Sequence, residues 1–215
     1  MLGQTITRNA LLLALFALAT ALLLAGTYLV TKERIATEIR KAEEKALLEI
    51  VPRAMHDNSM LDDTIAVGPD ATGLGLRTSK QIYRARSGEQ IVAAIIPATA
   101  RDGYSGDIDL VIGVKADGSV AGVRVLAHKE TPGLGDKVDL SKSDWVLDFN
   151  GRSLDDPEPS KWAVKKDKGV FDSFTGATIT PRAVVAATRR VLEYATENQG
   201  TLFGKTNPAG QAGEQ

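Results

Sequence analysis

The sequence contains no cysteine, which removes structural disulfides, thiolate nucleophiles and cysteine-ligated iron–sulfur clusters together. The absence leaves the compartment open, because a cysteine-free chain is stable on either side of a membrane. Histidine is nearly missing as well: His56 and His128 stand far apart. A metal site would have to draw most of its ligands from carboxylates, and no suitable cluster of them is present. Neither sign of charge dominates. Lys and Arg number 26 against 27 Asp and Glu, a formal net charge of -1, so no basic field exists to hold nucleic acid. No internal repeat, catalytic triad or nucleotide-binding loop is visible, and no catalytic side chain is singled out. Any redox chemistry in this chain requires an organic cofactor.

What is present is a chain of 215 residues, 43% hydrophobic and 25% charged, room for about one domain plus attachments. Ala10–Val30 carries no charge. As a helix rising about 1.5 Å per residue it covers roughly 32 Å, enough to cross a bilayer. A cleaved signal peptide is the rival reading, but its apolar region is usually shorter and ends in a small-x-small site. Here the apolar stretch continues through Tyr28, Leu29 and Val30 into Lys32-Glu33-Arg34, which favours a retained anchor. Charge does not orient the span: Arg8 precedes it, whereas Lys32, Arg34, Arg40 and Lys41 follow it among glutamates.

Ile35, Ile39, Ala42, Ala46 and Ile50 recur at helical spacing, so Lys32–Val51 reads as a continuing amphipathic helix stopped by Pro52. Arg53–Lys80 is rich in turn formers and has no clear period. The organisation expected is therefore an N-terminus and transmembrane helix over residues 1–31, a stalk helix and irregular connection over 32–80, a domain over 81–204, and a polar, disordered tail over 205–215. Within the domain, Gln90–Ile96 reads as a buried strand, and Asp107–Val114 alternates with Ile108, Leu110, Ile112 and Val114 on one face. Asp117-Gly118 turns the chain into Val120–Leu126, giving a hairpin. Trp145–Phe149 reads as a short amphipathic segment and Trp162–Lys165 as a strand. Pro181–Asn198 reads as a helix with Val184, Val185, Thr188, Val191, Leu192 and Ala195 on its apolar face and Gly200 just past its end. The fold class is α+β.

The segment that carries chemistry is Asp172–Pro181 (DSFTGATITP). Thr180 suits an N-cap and Pro181 a first helical residue. The Thr175-Gly176-Ala177-Thr178 turn then lies over the unpaired N–H groups of a helix start, a ready anion site. Gly176 removes a side chain where a phosphate could approach, and three hydroxyls surround the same point. Local physics is equally content with a threonine-rich cap and a glycine turn.

Asp172-x-x-Thr175-Gly176-Ala177-Thr178 resembles the D-x-x-(S/T)-G-A-T signature of FMN-binding domains that receive FMN through a phosphoester bond. Thr175 stands where Ser is commoner. The match is narrowed by Gly103-Tyr104-Ser105-Gly106 and by His128-Lys129-Glu130-Thr131-Pro132-Gly133-Leu134-Gly135. These resemble segments of the G subunit of Rnf-type ion-translocating electron-transport complexes, related to the C subunit of sodium-translocating NADH:quinone reductase. The resemblance implies one covalent FMN per chain on Thr178, attached by a separate flavin transferase. Thr175, Gly176, Ala177, Thr180, Glu130, Thr131, Gly133, Leu134 and Gly135 are its implied contacts. Tyr104 is equally suited to stacking on the flavin or to a structural role, and His128 reads as a hydrogen-bonded structural residue. The resemblance also implies a single-pass protein of the bacterial inner membrane, lodged in lipid, with its main domain on the periplasmic side. Its partners would be other membrane and redox subunits, in a complex coupling electron transfer between ferredoxin and NAD to ion movement. Two other readings stay open: a stand-alone flavinylated carrier, and an unmodified membrane-anchored assembly protein.

Overall fold

Apolar residues placed without interruption and good helix formers after them produce one long helix, α1 (Leu2–Leu48). The structure, a computed structural model, describes residues 2–204. The expected disordered tail lies outside the described residues. They divide at Lys45/Ala46 into two compact units. The helical segment Arg8–Leu48, most of it in the first unit, includes a window of mean hydropathy 2.3 and is long and apolar enough to cross a membrane. Leu11, Leu13 and Leu23 of this segment are exposed. The hydroxyls of Thr20, Thr27 and Thr31 are satisfied inside the helix, each donating to the carbonyl four residues back. The stalk stretch continues the span without a break, as its helical spacing suggests. It ends at Leu48, four residues before Pro52, in a turn through Glu49 and Ile50.

The second unit is built on a five-stranded antiparallel meander of β1 (Thr64–Val67), β2 (Lys80–Ser87), β3 (Gln90–Gly103), β4 (Gly106–Lys115) and β5 (Val120–Ala127), in that spatial order. The period of two sorts side chains onto two faces. On one face Ala94, Ile96, Ala98 and Ala100 of β3 and Ile108, Leu110, Ile112 and Val114 of β4 are buried against α2 (Ile179–Glu197) and Leu202 of α3 (Gln199–Phe203). The alternation expected of β4 and the apolar face expected of α2 are both found. On the other face Ala85, Ala93, Ile95 and Val111 are covered by Leu47, Ile50, Val51 and Met60. Ile50 sits over the cross-strand pair Gly113 and Gly122; a Cβ on Gly113 would lie 2.5 Å from the Ile50 Cγ2 methyl.

Three readings of the sequence are corrected. Arg53–Lys80 is not wholly irregular, since β1 lies within it. Strand β2 went unrecognised, because three of its eight residues are Lys80, Arg84 and Arg86. Arg84 is nevertheless buried and, with Arg86, ion-pairs with Asp63. Trp162–Lys165 is no strand; only Val164 makes a single bridge, to Phe171. Helix α2 ends at Glu197 with Gly200 just past it, as expected, though Gly200 belongs to the short helix α3 that follows.

Candidate functional site

Between β5 and α2 the chain runs through about fifty residues with no strand or α-helix, only short 3-10 turns. An aromatic cluster holds it. Phe149 stacks on Phe171 with centroids 4.5 Å apart, Trp145 meets Phe149 edge-on at 5.3 Å and Phe174 at 5.2 Å, and Trp162 lies 5.2 Å from Phe171. The Trp145 indole N–H donates to the Asp172 carbonyl (2.9 Å). This clamps both sides of the residue that opens the signature. The Asp172 carboxylate turns outward to Lys165 (2.7 Å).

From Phe174 the chain makes a tight turn, with Ala177 N–H donating to the Phe174 carbonyl (3.1 Å). Gly176 occupies the third position at φ +82°, the backbone of a type II turn, which favours glycine there. The helix then begins two residues earlier than the sequence suggests. Thr178 occupies the cap position and α2 starts at Ile179. Thr180 is thus not the N-cap and Pro181 not the first helical residue; proline is tolerated at the third position because first-turn N–H groups have no partner inside the helix. The Thr178 hydroxyl makes no capping bond. The Thr180 hydroxyl is instead buried and donates to Glu130 Oε2 at 2.5 Å.

These residues border a cleft of about 190 Å³ lined by Tyr104, Glu130, Thr131, Leu134, Gly135 and the run Gly176–Thr180. Of the sequence-derived candidates, Thr178, Gly176, Ala177, Thr180, Glu130, Thr131, Leu134 and Gly135 are brought together here. Thr175 lies at the exposed corner of the turn and Gly133 at an open bend of φ +78°; neither lines the cleft. Gly176 and Leu134 face each other across the cleft: a Cβ on Gly176 would lie at ordinary contact distance, 3.5 Å, from Leu134 Cδ2. Ile179 lines the cleft with its side chain exposed. Sequence reasoning passed over it, although an apolar residue between two threonines at a helix start was a usable signal. Tyr104 is 73% exposed at the rim, so it is no core residue. His128 is hydrogen-bonded, its Nδ1 accepting from the Glu130 N–H (3.1 Å).

Among the described residues, no lysine or arginine lines the cleft. The nearest cation in sequence, Arg182, is held in a two-pronged pair with Asp167 (2.5 and 2.6 Å). The start of α2, the positive end of its dipole, borders the cleft, and its Ile179 and Thr180 amides have no carbonyl four residues back within the helix. A half-buried hydroxyl, unpaired amides at the head of a 19-residue helix and apolar flanks at Leu134, Ile179 and Tyr104 suit a ligand with an anionic group and a flat apolar body. Two other cavities show no such combination. One, of about 210 Å³, lies by Asp117, Leu154 and Phe203. The other is an open hollow whose Arg101 and Arg190 are bonded to backbone carbonyls.

Residues 103–193 match the family described as the FMN-binding domain, and residues 1–50 match the one described as the RnfG N-terminal region. The G subunit of the ion-translocating oxidoreductase complex of Pseudoalteromonas atlantica is 50% identical over 204 residues, 95% of this chain and 94% of that one. That of Pseudomonas aeruginosa is 48% identical over 207 residues, 96% of each chain. That of Vibrio cholerae is 44% identical over 203 residues, 94% of this chain and 96% of the other. A solved structure, the crystal structure of Shewanella oneidensis NqrC, is similar over 70% of this chain and 72% of that one, at 24% identity and a TM-score of 0.47. With identity near one half over almost its whole length, the chain belongs to the family of G subunits of ion-translocating oxidoreductase complexes.

Proposed function

We propose that this protein is the flavin-carrying electron relay of a membrane-bound ion-translocating oxidoreductase complex, with one FMN ester-linked through its phosphate to Thr178. The observation that carries the reading is the position of Thr178: cap of α2, half-buried, on the cleft, its hydroxyl making no capping bond. Of the three neighbouring threonines, Thr180 is 0% exposed with its hydroxyl committed to Glu130, and Thr175 stands outside the cleft lining. Thr178 alone combines access with the helix start, where first-turn amides favour a phosphate. The cleft is smaller than the roughly 300–1,000 Å³ that encloses a drug-sized ligand, which suits one end or one face of FMN.

FMN supplies the redox chemistry when bound, and the chain supplies placement. Thr178 retains the cofactor, the Ile179 and Thr180 amides face its phosphate, and Leu134, Ile179 and Tyr104 offer apolar surface to its ring. In this reading α1 anchors the chain in the lipid of the bacterial inner membrane. Residues 32–45 serve as the stalk, and the flavin domain, expected over residues 81–204 but compact from Ala46 onward, stands on the periplasmic side. The partners are the other membrane and redox subunits, with ferredoxin and NAD at the ends of the complex's electron path and a flavin transferase for maturation.

The test is co-expression of the full chain with a flavin transferase, followed by a denaturing gel and intact-mass measurement. Flavin fluorescence that survives denaturation is expected, together with one FMN adduct. Thr178→Ala should lose both and Thr175→Ala should keep them. An adduct retained in Thr178→Ala overturns the assignment. Protease accessibility in intact spheroplasts tests the side of the membrane, and co-purification tests the partners.

A further inference from the structure

Every residue lining the cleft comes from one of three segments: the β3–β4 turn at Tyr104, the loop Glu130–Gly135, and the run Gly176–Thr180. One side chain reaches all three. Glu130 is 4% exposed; its Oε1 accepts from the Ser105 N–H of the β3–β4 turn (2.9 Å) and its Oε2 from the Thr180 hydroxyl of α2 (2.5 Å). Gly135 makes the close approach possible, since a Cβ there would lie 2.8 Å from Thr180 Oγ1 and 2.9 Å from Glu130 Oε2. A buried carboxylate is tolerated when its oxygens are matched by donors, and such a matched pair fixes the geometry of what it joins.

We infer that Glu130 is a positioning residue, a clasp that holds the three walls in register and so holds the flavin ring still against them. The inference rests on the reading of Thr178 as the FMN attachment point. It reassigns two candidate contacts: the side chains of Glu130 and Thr180 act on each other, and only their placement acts on the cofactor. Attachment itself depends on the 174–178 turn, which is formed by its own backbone bond and by Phe174 against Trp145. Loss of the clasp therefore loosens the ring without detaching it.

The experiment loads the full chain with FMN by co-expression with a flavin transferase, in wild type, Glu130→Ala, Glu130→Gln and Thr180→Val. It reads intact mass, flavin fluorescence anisotropy and visible circular dichroism of the bound flavin, with far-ultraviolet circular dichroism as the check on folding. All four chains should carry one FMN. In Glu130→Ala the anisotropy should fall and the flavin's induced circular dichroism should drop about two-fold or more. Glu130→Gln keeps an acceptor for Ser105 and a donor for Thr180, and should restore most of both signals. Thr180→Val removes one of the two links and should fall between. Glu130→Ala with wild-type flavin signals overturns the proposal, and so does a folded Glu130→Ala that fails to load while wild type loads. Should Glu130→Ala not fold, Thr180→Val decides, and wild-type signals there overturn the clasp. A wild-type chain without an adduct refutes the Thr178 reading instead.

Discussion

At the entry to α2 three threonines within six residues meet three environments. Thr175 is exposed at the turn corner, Thr178 is half-buried at the cap, and Thr180 is sealed against Glu130. A capping threonine is ordinarily worth about 1 kcal/mol. Because the Thr178 hydroxyl makes no such bond, Thr178→Val should leave the melting temperature of the cofactor-free protein unchanged. A fall of the size expected for a lost cap would show that the hydroxyl has a partner. Gly135 is more constrained. Gly135→Ala inserts a methyl between two buried polar groups at contact distances and should cost about 1–3 kcal/mol in urea unfolding. Asp167 makes a milder prediction. The side-chain hydrogen bond from Arg182 holds its carboxyl below the usual carboxylate range. A carboxylate with a depressed folded-state pKa contributes stability at neutral pH that disappears as pH falls through that value. Asp167→Asn should therefore melt slightly below wild type at pH 7, the gap closing in acid. As the pair is exposed, salt should narrow the gap as well.

Among the elements, the end of α1 and the turn after it form one cover of the sheet. Ile50 is received by Gly113 of β4 and Gly122 of β5, neighbours in register whose missing side chains make the seat. Gly113→Ala places its methyl 2.5 Å from Ile50 Cγ2 and should destabilise by about 1–3 kcal/mol. Ile50→Ala removes buried apolar surface and should cost about 2–5 kcal/mol. Since both changes act on the same contact, the double variant should be more stable than the sum of the single losses implies. Strict additivity in melts of the full chain would show that Ile50 is not seated there. The irregular stretch before α2 depends in the same way on its rings: Trp145, Phe149, Trp162, Phe171 and Phe174 replace the backbone ladder that region lacks.

For the whole molecule, the boundary between the two units at Lys45/Ala46 makes a prediction about truncation. A chain starting at Ala46 keeps Leu47, Ile50 and Val51 over the second sheet face and should be water-soluble and cooperatively folded. A chain starting at Arg53 loses those three residues and uncovers Ala93, Ile95 and Val111. At about 1.5–3 kcal/mol for each large apolar side chain removed from burial, it should be on the order of 5 kcal/mol less stable. Equal urea midpoints for the two truncations would contradict the packing described. The full chain should require detergent, because the leucines of α1 from Leu11 to Leu29 are exposed.

Features written locally in the chain were legible without the structure. The uncharged run of α1, the two-residue period of β4 and the apolar stripe of α2 each depend on neighbours a few residues away, so spacing alone reveals them. The Thr-Gly-Ala-Thr turn is local as well, but its meaning, and most of the residues that border the cleft, came from resemblance to a family's motifs and not from spacing. What tertiary structure decided depends on partners remote in sequence. Strand β2 is laddered between β1 and β3, and two of its arginines pair with Asp63, 21 and 23 residues away. The start of α2 moved to Ile179 in a fold where Thr180 meets a carboxylate 50 residues distant. That contact also distinguishes the hydroxyls: burial and a hydrogen bond close Thr180, and the same packing leaves Thr178 open on the cleft. Local periodicity contains no record of such a pairing, because only folding brings its two ends together.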